Sequence, residues 1–220
     1  MKKMIIPLLI MILPNSVHAF ALVHYGWEDG GTVLNIYPDP ELPSLIATNV
    51  SPSWDGNVVH EGNYSLKLEY NAANGTPQAF VAYLWCLDDG DTYRVGFHRY
   101  DDTPYETPSV RIWAHWNDHL PNDPLANDGD AGGNEDYGSG EGWDYTDWIW
   151  TVTDGHTGLV IEARVEGEPG DAVWLDDLDI WPMEGTDDRF YYQIPGSEPV
   201  FTGVITAEQY TWSQLKALYR

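Results

Sequence analysis

The chain predicts an all-β fold, an antiparallel β-sandwich or jelly roll, and three observations point to it. Strand-length apolar runs recur with turn clusters such as Asp88-Asp89-Gly90 and Asp154-Gly155 between them. Several runs alternate apolar and polar residues with a period of two, as a half-buried strand does. No helical period of useful length occurs before residue 206. Many short strands separated by turns are the pattern of a sandwich.

The N-terminus is expected to lie outside that fold. Met1-Lys2-Lys3 is a basic segment, Met4–Leu13 is apolar, and Val17-His18-Ala19 offers a cleavage site. This reads as a secretory signal peptide over residues 1–19. The apolar run is shorter than the ~20 residues a membrane helix needs, and no later segment reads as transmembrane. The expected domain is 20–182, followed by a linker and tail over 183–220.

Within the domain, a first strand is expected over His24–Asp29, and 32–60 reads as loop, with Pro38, Pro40, Pro43 and Pro52. Ser65–Tyr70 alternates, with Leu66, Leu68 and Tyr70 inward and Lys67 and Glu69 outward. Phe80–Leu87 is apolar throughout, as a central strand would be. Thr92–Tyr100 sets Tyr93, Val95 and Phe97 against Arg94, Gly96 and His98. Val110–Trp116 sets Val110, Ile112 and Ala114 against Arg111, Trp113 and His115. Residues 117–142 interrupt the pattern as a long, acidic, glycine-rich loop, which in a compact domain is functional or disordered. Trp148–Thr153, Leu159–Val165 and Ala172–Trp181 complete the strands. Strict alternation in the last places Trp174, Asp176, Leu178 and Ile180 on one face. A carboxylate in that company must be protonated, paired or metal-bound, or else stand in water at the strand end. The residues alone leave both readings open.

Composition excludes several classes of partner. Ten basic and 35 acidic residues give a formal charge of −25, which opposes binding to nucleic acid or an anionic membrane. Eleven Trp, 14 Tyr and five Phe are too many aromatics for a disordered acidic chain. The single cysteine, Cys86, excludes an internal disulfide, and its apolar surroundings predict a buried thiol. The loop from Asp128 fails the EF-hand pattern, because its twelfth position is Ser139. His115 and His119 form no His-Glu-x-x-His, and Gly138-Ser139-Gly140 is no nucleophile elbow.

Five motifs, in order, carry a family resemblance: Gly26-Trp27-Glu28-Asp29-Gly30; Gly62-Asn63-Tyr64-Ser65-Leu66-Lys67-Leu68; Asp91-Thr92-Tyr93-Arg94-Val95; Trp143 through Val152; and Val173-Trp174-Leu175-Asp176-Asp177-Leu178. Over about residues 20–182 the chain resembles jelly-roll carbohydrate-binding modules of the galactose-binding-like superfamily, especially secreted bacterial modules of the CBM4/9 type. The resemblance implies a structural Ca²⁺ tying the first strand to the last. Its ligands would be the carboxylates of Glu28 and Asp176 and the backbone carbonyls of Gly26 and Asn63, with Glu61 or Asp177 as alternative carboxylates. Calcium takes ~6–8 oxygen ligands of these kinds.

The resemblance also implies a polysaccharide or glycan partner. Sugar rings stack on aromatic side chains while a few polar groups read the hydroxyls. The residue phases and the long loop nominate Trp85, Arg111, Trp113, Tyr137, Trp143, Tyr145 and Arg164. The expected function is therefore a secreted, non-catalytic, calcium-stabilised sugar-binding module. A calcium-stabilised adhesion domain without a sugar ligand is one alternative. A polysaccharide-degrading jelly roll is another, although no signature fixes an acid–base pair among the many carboxylates. In the tail, Thr206-Ala207-Glu208-Gln209 resembles a capping box. Trp212, Leu215 and Tyr219 would share one face of a short helix. A tail that engages a secretion or surface-sorting system could be removed from residue 186 onward without loss of stability.

Overall fold

β11 (Ala172–Pro182) runs through the middle of one sheet and shows how the other strands are placed. The computed structural model describes residues 23–34, 46–71, 75–105, 107–138, 140–187 and 189–203. The expected signal peptide and tail helix lie outside them. One edge of β11 pairs with β4 (Ser65–Tyr70) through Val173↔Leu68 and Leu175↔Leu66, and beyond that with β1 (Val23–Tyr25) through Leu178↔Tyr25 and Ile180↔Val23. The other edge pairs with β6 (Thr92–Asp101), which in turn pairs with β9 (Gly142–Thr151). β3 (Val50–Asp55) closes the far edge beside β4, where Pro52, lacking an N–H, is tolerated.

The second sheet is built on β5 (Gln78–Trp85), β10 (Gly158–Glu166) and β7 (Ser109–Trp116), with β8 (Gly129–Gly133) at its edge. Along the free side of β5, β2 (Ala47–Thr48) pairs at one end and β12 (Tyr191–Gln193) at the other, with β13 (Val200–Phe201) outside β12. The two inner faces form one core: Leu66, Leu68, Tyr93, Val95, Phe97, Val173, Leu175, Leu178 and Ile180 meet Val81, Leu84, Ile112, Ala114, Leu159, Ile161 and Ala163. The all-β sandwich expected from the alternating runs is the fold observed. Among the described residues, no helix is long and apolar enough to cross a membrane.

Several expectations need correction. The alternation of β11 is broken by a bulge between Asp176 and Asp179, where Asp177 takes a left-handed φ of 50°. The inward residues are Val173 and Leu175 before it and Leu178 and Ile180 after it, so Trp174 and Asp176 face outward. β9 begins at Gly142, six residues before the expected start. The sequence 32–60 holds β2 and β3, and the long loop holds β8. Cys86, expected buried, is exposed just past the end of β5. The sandwich also continues past Pro182: Phe190 is fully buried in the core, and β12 and β13 extend the second sheet.

Candidate functional site

The outer face of the second sheet gathers four of the seven nominated ligand residues. β7 and β10 pair Trp113↔Glu162 and Arg111↔Arg164, and all four side chains project from the outer phase of their strands. The Arg111 guanidinium lies 4.4 Å from the Trp113 ring and 4.7 Å from the Tyr137 ring, and Arg164 lies 4.7 Å from Trp113. Such contacts hold both arginines and aromatics in one orientation. Trp113 Nε1 donates to Asp130 Oδ1 on β8 at 2.6 Å. Tyr137 is brought in by its loop, whose carbonyls at Tyr137 and Asp136 accept from the Ser109 hydroxyl and from Arg99 Nη1 (2.6 Å).

Beneath this patch, Glu162 is almost fully buried and accepts from Arg164 Nε at 2.6 Å, while its other oxygen pairs with His115 Nδ1. Among the described residues, three buried polar atoms on this face have no hydrogen-bond partner: Arg111 Nε, His115 Nε2 and Tyr83 Oη. Buried polar groups are satisfied in nearly all native structures, so such atoms call for an explanation. Tyr83 belongs to a satellite apolar cluster with Trp85, Phe80, Val160, Leu34, Ile46 and Leu120, and burial pushes its phenol well above the usual range. The face opens at its Trp113 end. There an open groove is lined by Trp113, Gly132, Gly133, Asn134 and Trp148. Trp85 sits at the other end, buried, stacked on Tyr191 (5.4 Å, 12°) and lining a separate open pocket with Cys86, Leu120 and Phe201, so it does not join the other four.

The remaining two, Trp143 and Tyr145, lie on the outer face of the first sheet instead. Their β9–β6 pairs are Tyr100 and His98. Tyr100 lies between Trp143 (5.4 Å) and Trp174 (5.6 Å), forming an aromatic row across three strands. The next row holds His98 and Tyr145, with ring centroids 4.8 Å apart. His60, from the loop after β3, stacks on His98 at 3.7 Å and 16°.

This face also holds the residues nominated for calcium. β4 and β1 leave a gap along the edge of β11 at Asp176 and Asp177, and the loop over residues 56–64 fills it. Asp176 is fully buried. Its Oδ2 accepts the N–H groups of His60 (3.0 Å) and Glu61 (3.2 Å), and its Oδ1 accepts that of Asp177 (2.9 Å). Burial, then the charge of Asp177, raises its pKa to about 6 against the pull of those three donors. Glu28 reaches the same loop from the other side. It accepts the N–H groups of Asn63 (2.7 Å) and Tyr64 (3.0 Å) and the Asn63 side-chain amide (2.9 Å), which hold its pKa below the usual range. Gly62 has φ 75°, and a Cβ there would collide with the Glu28 carboxylate. A Cβ on Gly26 would stand 3.7 Å from Asp176 Oδ1. Glu28 and Asp176 thus hold the same loop at two places, Glu28 at Asn63–Tyr64 and Asp176 at His60–Glu61. Two carboxylates and backbone carbonyls are the donors a hard cation needs, although the groups Asn63 turns toward Glu28 are N–H donors.

At that loop, His60 Nδ1 lies 2.5 Å and His98 Nδ1 3.6 Å from Asp177 Oδ2. These three residues form a cluster able to hold a metal ion. Burial, then His60, lowers the pKa of His98. Sequence reading named Asp177 as an alternative carboxylate but missed both histidines. His98 had a signal in its outward phase on the Thr92–Tyr100 run; His60, in a proline-rich stretch, had none.

Comparison with solved structures returns β-sandwich carbohydrate-binding modules. The tandem CBM22-1–CBM22-2 of Paenibacillus barcinonensis Xyn10C aligns with a TM-score of 0.51 at 11% identity, over 77% of this chain and 48% of the tandem. The chain thus spans about half the length of that tandem. The xylan-binding CBM22-1 domain of the same protein aligns at 0.47 and 12% identity, over 74% of this chain and 95% of that one. An enzymatically active domain of a bacteriophage CBA120 tailspike aligns at 0.44 and 14% identity, over 64% and 19%. At these identities the likeness is one of fold. Modules of families 22, 27 and 16 are among the structures this chain resembles in fold. No family model matches the chain, and no curated protein matches it in sequence.

Proposed function

We propose that the chain is an exported, non-catalytic module that binds a neutral polysaccharide on the outer face of its second sheet. The observation that carries this reading is the convergence of Arg111, Trp113, Tyr137 and Arg164 beside an open groove, with Arg111 Nε buried and unpartnered. Aromatic rings supply faces for sugar C–H groups. Arg111 Nε is a donor, and His115 Nε2 is an acceptor when its other nitrogen donates to Glu162. Both atoms are buried, so a sugar hydroxyl would meet them only after the side chains over them shift. The modular fold and the export pattern of residues 1–19 support the reading. A structural calcium at Gly26, Glu28, Asn63 and Asp176 forms part of the proposal, because one loop, residues 56–64, is hydrogen-bonded to both carboxylates, by Asn63 and Tyr64 to Glu28 and by His60 and Glu61 to Asp176. When bound, it would lock that loop.

Affinity electrophoresis of the full chain in gels containing neutral polysaccharides (xylan, mannan, mixed-linkage glucan) tests the reading. Retention on at least one is expected, and it should be insensitive to salt because the ligand is uncharged. Trp113→Ala should weaken retention at least about tenfold, since removing an aromatic anchor exceeds ~1.4 kcal/mol. Failure of every gel to retard the chain, equal retention of Trp113→Ala, or release of reducing ends would each contradict it.

A further inference from the structure

We propose that His60, His98 and Asp177 form a binding site for a divalent transition-metal cation of the zinc class. This inference rests on neither the sugar reading nor the calcium reading. The three residues come from the loop after β3, from β6 and from the β11 bulge. Their donor atoms lie within 4.8 Å of one another. A tetrahedral ion bound at about 2.0–2.2 Å holds its donors roughly 3.3–3.6 Å apart. His60 and His98 stack at 3.7 Å and 16°, so closing the set takes a side-chain shift of about 1 Å together with rotation of one ring, which brings both nitrogen lone pairs onto the ion. Two imidazole nitrogens and one carboxylate oxygen suit zinc, cobalt, nickel or copper. They do not suit calcium, which takes oxygen.

A second observation points to a ligand here. His98 Nδ1 is buried without a hydrogen-bond partner among the described residues, although it faces Asp177 at 3.6 Å. A bound cation would satisfy that nitrogen. The adjacent Tyr145 Oη is unpartnered as well.

The surroundings hold each donor in place. Asp176 binds the N–H groups of His60 and Glu61, which anchors the loop that carries His60. The left-handed backbone of Asp177 re-aims its side chain, as residues at bulges commonly do. His24 bonds Asp179 through Nδ1 at 2.8 Å and sets Nε2 3.6 Å from the other oxygen of Asp177. Outer partners of this kind orient metal ligands. Three protein ligands leave a fourth position for water or a ligand atom.

The test uses the full chain stripped of metal, titrated with Co²⁺ by visible absorption and with Zn²⁺ by calorimetry. One equivalent of cobalt with intense tetrahedral bands is expected, displaced by zinc and unaffected by millimolar calcium. His98→Ala and His60→Ala should each weaken binding at least 10–100-fold, roughly what loss of even a supporting partner costs. His119→Ala, remote from the cluster, should bind like the parent. His60→Gln, which keeps the side-chain bulk, with a metal-free melting curve for each variant, separates loss of the site from loss of the fold. The absence of cobalt bands and zinc heat in the parent, or parent-like affinity in folded variants of His60 and His98, would overturn the proposal.

Discussion

Ending the chain at Pro182 is expected to unfold the sandwich. Phe190 is fully buried against Tyr93, with ring centroids 4.9 Å apart in a T-shaped contact. The segment leading to it is tied to the turn before β6. Thr186 Oγ1 donates to the Thr92 carbonyl and accepts the Thr92 N–H, both at 2.9 Å, and the Asp187 N–H donates to Asp91 at 2.9 Å. β12 then covers the edge of β5, and Tyr191 stacks on Trp85. Phe190→Ala alone should cost about 3–5 kcal/mol, a large share of the roughly 5–15 kcal/mol that stabilises a domain. Urea melts of chains ending at 182 and at 203 should show the first unfolded and the second cooperative. Equal melts would return the segment to the status of a detachable tail.

Asp176→Ala is expected to be the most damaging single substitution at the corner where β1, β4 and β11 join. It leaves the N–H groups of His60, Glu61 and Asp177 without their acceptor. Each unsatisfied buried group costs about 1–3 kcal/mol, and relief of the carboxylate's own burial offsets part of the sum. A net loss of roughly 2–4 kcal/mol follows. Asp176→Asn keeps an acceptor oxygen and should lose less. Calcium separates the two roles of this carboxylate. Adding calcium to metal-stripped protein should raise the melting temperature of the parent, by ~2.7 kcal/mol of stability at 100 times the dissociation constant, and leave Asp176→Asn unmoved. A parent indifferent to calcium would leave Asp176 as a hydrogen-bond acceptor and remove the ion from the account.

The parts of the fold that were legible in sequence are those where one face of a strand is buried. Ser65–Tyr70 alternates because β4 has the core on one side and solvent on the other, and its expected inward residues, Leu66, Leu68 and Tyr70, are the buried ones. β8, by contrast, reads Gly-Asp-Ala-Gly-Gly; it is a strand because its backbone pairs with β7, and it has almost no side chains to alternate. The bulge in β11 was hidden for a related reason. A single extra residue reverses the phase of all that follows, and two adjacent aspartates do not show where that residue falls. β12 and β13 are too short to form a pattern.

The candidate sites divide in the same way. Arg111, Trp113 and Arg164 were legible by being out of phase with the core residues of their own strands. Trp143 and Tyr145 were legible as aromatics where the long loop re-enters a strand, but the sheet that would carry them was not, because sheet assignment depends on pairing across long sequence separations. The His60–His98–Asp177 cluster depends on a loop, a strand and a bulge meeting, and no local spacing encodes that.

The most direct measurement of the central claim is a crystal structure of the full chain with a neutral oligosaccharide from whichever polysaccharide retards it. The account predicts a sugar ring against Trp113 or Tyr137, with a hydroxyl within hydrogen-bond reach of Arg111 Nε. A sugar bound instead on the Trp174–Tyr100–Trp143 row of the other sheet, or at the Trp85–Tyr191 end, would contradict it.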